Sequence, residues 1–214
     1  MPDALERLLA YYRPLSTVQR EVRGVPTLHT PGSPLLGVNA SYLRDGDQAL
    51  LPLLRAWYLG QDAPPLVASL EPLPGLEVVE TLRVGRYRPH PQPEVLAVEQ
   101  VSPLQLARFS TVLAEASGLP EWSGALTRSL QAALPNVPDP LLLMAYAGGE
   151  PVGALLLHSG AAMLWATLHP AADRPLMNRA AELNGGEVWT SLTDHSALEL
   201  DEVGEVCFTQ LDSA

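Results

Sequence analysis

The stretch from Leu141 to Asn184, LLLMAYAGGEPVGALLLHSGAAMLWATLHPAADRPLMNRAAELN, decides the fold. Leu141 to Ala147 and Val152 to His158 are short apolar runs separated by Gly148-Gly149-Glu150-Pro151, the turn chemistry that joins antiparallel strands. Ser159-Gly160 forms a second tight turn before the run Ala161 to Leu168. Loops this short leave no room for a crossover helix, so the three strands are antiparallel neighbours. Past His169-Pro170 the period changes, with Leu176, Ala180 and Leu183 at spacings of four and three. That pattern predicts a helix from Ala171 to Asn184, stopped by Gly185-Gly186. Glu187 to Leu192 reads as another strand.

Working outward, Val95 to Val101 reads as a strand, and Pro103 sits at the first turn of a helix running to Ala116 with Gly118 as its cap. A second helix is expected from Glu121 to Leu134. Downstream, Ala197 to Gly204 (ALELDEVG) reads as a short helix, and Val206-Cys207-Phe208 belongs to a last strand.

Strand, helix, helix, three strands, helix, strand, short helix, strand is an order that resembles the GNAT N-acetyltransferases over about residues 94 to 212. The resemblance implies an α/β (α+β) fold, a mixed and mainly antiparallel sheet flanked by helices. It also implies acetyl-CoA as donor, its pyrophosphate held where a strand end meets a helix N-terminus. Free N–H groups and the helix dipole favour an anion there. The cofactor-contacting positions it implies are Thr167, Leu168, Arg174, Leu176, Asn178 and Arg179, with a backbone N–H near Thr167 or Leu168 polarising the thioester carbonyl.

The family writes its phosphate loop Arg/Gln-x-x-Gly-x-Gly/Ala; this chain has Arg174-Pro175-Leu176-Met177-Asn178-Arg179, and only the first position matches. Met177 and Arg179 occupy the glycine positions, and Pro175 has no N–H to give a phosphate. The helix is also about two turns shorter than the family builds, judged from Arg174 to Gly185. Arg174 and Arg179 could supply guanidinium charge in place of the lost backbone donors. The proton-donating Tyr of the family is replaced by Leu200, and the Phe of its Gly-Phe pair by Glu205.

The first half has strand-like pieces at Glu21 to His29, Leu35 to Ala40, Val67 to Leu70 and Glu77 to Tyr87, with a helix from Gln48 to Leu59. His90-Pro91-Gln92-Pro93 forces an extended connector. The expected organisation is a half-sized α/β unit over 1–90, a Pro-rich linker at 91–93 and a GNAT-like unit over 94–214. A reduced first unit followed by a fuller one resembles tandem or fused GNAT proteins.

All 13 basic residues are Arg, against 24 acids, for a formal charge of -11. Phosphate backbones would be repelled, so no nucleic acid is expected as partner, while a cationic amine is compatible. No apolar run approaches the ~18 residues of a membrane span, and MPDALERLLAYYRP lacks a basic n-region, so a cytoplasmic protein is expected. Cys207 stands alone and cannot form an intramolecular disulfide.

Asp194-His195-Ser196 contains the letters of a hydrolase triad, but adjacent side chains on one loop point apart. His195 alone is the candidate general base, since an imidazole near pKa ~6.5 suits proton transfer. His158 and His169 bracket one strand some ~30 Å long and cannot share a metal, and His29 has no second ligand near it, so no metal is expected. Two functions stand: acetyl transfer from acetyl-CoA to a small-molecule amine, and a GNAT-fold binding or assembly module without turnover, paired as a homodimer.

Overall fold

The apolar runs of the quoted stretch form the antiparallel meander that their turns require, inside one sheet that also takes in the first half of the chain. The computed structural model describes residues 3–90 and 96–211, so the connector expected at Pro91 to Pro93 lies outside it. In order come helix α1 (Ala4–Tyr12), strands β1 (Val18–Val22), β2 (Val25–His29) and β3 (Ser41–Tyr42), helix α2 (Leu51–Leu59), and strands β4 (Leu66–Ser69) and β5 (Glu77–Tyr87). There follow β6 (Ala97–Val101), α3 (Leu106–Ala116), α4 (Ser123–Ala133), β7 (Leu141–Ala147), β8 (Glu150–His158) and β9 (Ala161–Thr167). Helix α5 (Asp173–Leu183) and strands β10 (Val188–Thr193) and β11 (Asp201–Gln210) complete the chain. The eleven strands lie in the order β1-β2-β3-β4-β11-β5-β10-β9-β8-β7-β6, parallel only at β3/β4 and β9/β10. This is the mixed, mainly antiparallel sheet with flanking helices that the resemblance implied.

The meander strands read as unbroken apolar runs because both faces are covered. Leu142 and Met144 pack with Phe109 and Leu113 of α3 and Leu130 of α4, while Leu143 and Ala145 on the opposite face pack with Leu176 and Ala180 of α5.

Three expectations are corrected. Ala197 to Gly204 is not helical: 197–200 has no regular secondary structure and β11 begins at Asp201. The pairing of β11 with both β4 and β5 supplies many backbone hydrogen bonds, where one short helical turn would make few. Gly85 admits the crossing, since a Cβ there would lie 2.9 Å from Leu200 Cβ. Leu35 to Ala40 is not a strand but a single 3-10 turn, Leu36–Val38, whose Gly37 lies flat against the Tyr12 ring and accepts from Tyr42 Oη at 2.6 Å. Glu21 to His29 is the end of β1 and all of β2, joined by a turn in which Arg23 and Gly24 both take positive φ.

The two halves interlock. β5, from the first half, lies between β10 and β11 of the second, and β11 lies between β4 and β5. Arg86 on β5 ties both neighbours, with Nη1 3.0 Å from Glu187 and Nη2 2.6 Å from Glu202. Helix α1 crosses the seam as well. Tyr11 inserts its phenol into the β8/β9 ladder beside the bulge at Leu156/His158, donating to Leu156 O at 2.8 Å and accepting from Leu164 N at 3.1 Å. Tyr12 donates to Met163 O at 3.2 Å, and Arg7 covers the Trp189 ring at 3.4 Å.

The Tyr11 ring also stacks on His158, centroids 4.2 Å apart and planes 22° from parallel. His158 is fully buried and its Nε2 has no partner, so burial pushes the imidazole down to about 4.

Three outcomes follow from this seam. Residues 1–90 expressed alone leave β5 without either neighbour, so the fragment is expected to aggregate or stay unfolded; a soluble, cooperative melt would show otherwise. Tyr11→Phe strands a buried N–H and a buried carbonyl, which costs about 2 kcal/mol and lowers the melting temperature by roughly 4–8 °C. Below pH ~6.5 the unfolded chain takes up a proton that native His158 refuses until about 4, so its contribution is full above that range and lost as pH falls through it. Melting temperature should therefore fall more steeply between pH 6.5 and 4 in the wild type than in His158→Phe, which keeps the stack; parallel curves would contradict it.

Candidate functional site

The parallel pairing of β9 with β10 is confined to two residue pairs, Ala161 with Trp189 and Ala162 with Thr190. Beyond them β10 stays on register with β5 for its whole length, and β9 stays on register with β8, so the two strands diverge. The sheet is split at the C-terminal ends of β9 and β10, where an open sheet exposes strand ends to a ligand.

Side chains take over where the main-chain ladder stops. Thr190 Oγ1 donates to Ala162 O at 2.6 Å and Ser191 Oγ to Met163 O at 3.3 Å. Farther along, the indole of Trp165 reaches from β9 and donates Nε1–H to Ser191 O at 3.0 Å. Trp165 is half-buried and packs with the α5-side cluster.

The outer part stays open as a cleft of about 520 Å³. It starts near Asp173 at the head of α5, passes Trp165 and Thr167, and reaches Gly37, Glu80 and Ser117 on the other side. His195, in the exposed turn after β10, stands on its rim with Thr193 and Ser196. Glu80 and His195 thus line one cavity although they come from opposite halves of the sequence. Ser196 N donates to Thr193 O, and Arg83 Nη2 donates to Ser196 O at 3.0 Å, which makes Asp194 to Ser196 a turn held by its backbone. Among the described residues no group of His, Cys, Asp and Glu is placed to hold a metal.

The junction ahead of α5 serves its own chain. Pro170 and Pro175 have no N–H, while those of Ala171, Ala172 and Asp173 turn inward to His169 Nδ1, His169 O and Pro170 O. Asp173 puts a carboxylate in the first turn, accepting from Thr167 Oγ1 at 2.5 Å. Burial pushes this carboxyl up from its ordinary value, opposed by the Thr167 hydroxyl and by His169. An anion favoured by the helix dipole is thus already present as part of the protein.

The other expected contact residues are divided among different tasks. Leu176 is fully buried beneath the sheet, where Gly153 makes room for it. Asn178 accepts from Tyr87 Oη at 2.7 Å and donates to His90 O at 3.1 Å, tying α5 to the end of β5. Arg179 pairs with Glu182 at 3.2 Å on the surface, and Arg174 is exposed. Leu168 N donates to Val152 O at 2.8 Å, so ladder alternation turns the Thr167 N–H, not that of Leu168, towards the gap. Leu200 packs with the α5-side cluster, and Glu205 lies in β11.

These residues do not fit acetyl-CoA in the family's manner. The first turn of α5 carries its own half-buried carboxylate, the N–H groups of Ala171, Ala172 and Asp173 are turned inward, and the Trp165 indole reaches across to Ser191. Trp165, Asp173, Ser191 and Glu80 were missed in the sequence. Alternation places Trp165 on one face with Thr167, but nothing local shows that its ring lies across a break in the sheet.

No family model matches the sequence, and no curated protein matches it. Among solved structures, a GCN5-related N-acetyltransferase from Kribbella flavida is similar at a TM-score of 0.65 and 14% identity, over 100% of this chain and 97% of that one. A functionally unknown conserved protein from Staphylococcus epidermidis is similar at a TM-score of 0.58 and 10% identity, over 91% of this chain and 93% of that one. Identities this low speak for architecture alone, and the architecture is shared along both halves: this chain has the fold of the GCN5-related N-acetyltransferases.

Proposed function

We propose that this chain is a GNAT-fold binding protein that holds a small cationic molecule in the cleft and does not transfer acetyl groups from acetyl-CoA by the family's route. The observation that carries this reading is the Trp165 Nε1–H bond to Ser191 O, which bridges the two strands where the fold would otherwise part. Asp173 supports it from the junction, because a pyrophosphate placed there would meet a half-buried carboxylate and few free N–H donors. Glu80 and Asp173 are among the lining residues of the cleft and no Arg is, which favours a cation.

A second reading, acetyl transfer from acetyl-CoA to an amine, is favoured by one feature: the cleft continues past the gap to the opposite face, with Glu80 and His195 both on its wall. The two readings separate on donor binding. A ligand at a hundredfold excess over its dissociation constant stabilises the folded state by about 2.7 kcal/mol, roughly 5–10 °C in melting temperature for a chain of this size. Millimolar acetyl-CoA is expected to leave the wild-type melt unchanged. Trp165→Ala combined with Asp173→Asn is expected to gain measurable binding by calorimetry. A micromolar dissociation constant for the wild type, with free thiol released in the presence of an amine, would establish the second reading instead.

A further inference from the structure

A second cavity, of about 760 Å³, lies at the seam between the halves. It shares Leu35 and Leu36 with the cleft, and the two meet over a bulge in β5. Glu80 pairs with Phe208 and Val78 with Thr209, so Val79 is an extra residue without a partner on β11. A bulge of this kind re-aims side chains, and here Val79 lines the second cavity while Glu80 lines the cleft.

The second cavity has His29, the last residue of β2, in its wall. His29 is 6% exposed, and the rings of Trp57 and Tyr58 stand nearly perpendicular to it, centroids 6.2 and 6.3 Å away. Its tautomer follows from Asn39. The Asn39 Nδ2 donates to Ser33 O at 2.8 Å and to Leu35 O at 3.2 Å, which fixes the amide with Oδ1 towards Thr30 and His29. Oδ1 accepts from Thr30 N at 2.8 Å and lies 3.1 Å from His29 Nδ1. An oxygen can only accept, so in the neutral ring Nδ1 carries the proton and Nε2 a bare lone pair. Nε2 has no partner among the described residues and is not sealed inside the protein, so it opens on the cavity that His29 lines.

The polar groups beside it are committed elsewhere: Thr30 Oγ1 accepts from Thr17 N at 3.1 Å and Ser33 Oγ from Leu35 N at 3.4 Å. Pro34, Leu35, Leu66 and Val79 make the wall apolar, and Asp62 and Glu121 stand at its exposed positions. We infer that this cavity binds a neutral hydroxyl compound, an alcohol or phenol with an apolar body, whose O–H donates to His29 Nε2. A lone pair held in a buried ring calls for a donor. An ammonium group would surrender its water against an apolar wall, while a carboxylate has no proton to donate and would meet Asp62 and Glu121. A hydroxyl on a hydrocarbon body satisfies the lone pair and the wall together. The inference stands apart from the cation reading of the cleft, because His29 is not among the residues that line the cleft.

The test is nuclear magnetic resonance on the full chain with nitrogen-labelled histidine at pH ~8, where an ordinary imidazole is neutral, and with 4-propylphenol as probe. Proton–nitrogen correlations should show His29, assigned by its loss in His29→Phe, with its proton on Nδ1 and none on Nε2. The phenol should move the Nε2 resonance saturably, and its methyl ether, the same body without the O–H, should bind at least tenfold more weakly. In His29→Phe that preference should vanish, the phenol falling to the affinity of its ether. A proton on Nε2 in the free chain, a phenol that binds the wild type no better than its ether, or a millimolar phenol that leaves His29 unmoved would each overturn the inference. Should His29→Phe fail to fold, His29 is assigned through its proximity to the Trp57 and Tyr58 rings, and the wild-type comparison of phenol with ether decides.

Discussion

β5 is hydrogen-bonded along both edges to strands from the other half of the chain, and the rest of the structure follows from that exchange. Its pairing with β10 holds β10 straight for six residues, while β9 is held by β8; the two cannot both keep their partners and stay together. Its pairing with β11 carries the C-terminal strand away to β4, where it closes the first half. Removing either pairing would leave a row of unmet backbone groups in the interior of the sheet.

Helix α1 reinforces the exchange from one face. Tyr11 puts a hydroxyl in a ladder position and a ring on His158, and Tyr12 covers Gly37 and bonds Met163. These phenols are buried, and burial pushes their pKa values up, so they act as neutral structural donors. The first half therefore supplies both the seam and one wall of the cleft.

At the site, the polar groups ahead of α5 are turned towards the protein itself. The head of α5 satisfies its own N–H groups through His169 and carries its own anion in Asp173, and the break in the sheet is crossed by Trp165. Glu80 and Asp173 line the open side, and no Arg is among the residues that line it with them. Positive charge is the complement that this lining favours.

The sequence by itself determined the elements whose signals are local: the β7–β8–β9 meander from two tight turns, and α5 from its period and its glycine stop. It misplaced 197–204 and 35–40, where the winning interactions are distant, with β11 drawn out by β4 and β5 and the Leu36–Val38 turn shaped by the Tyr12 ring. Only the tertiary structure decided which strands adjoin β5, that Trp165 lies across a gap, that a bulge at Val79 joins two cavities, and that Glu80 and His195 face one cleft. Those facts depend on which backbone edges meet between separated segments of the chain, and neither propensity nor periodicity records such pairing.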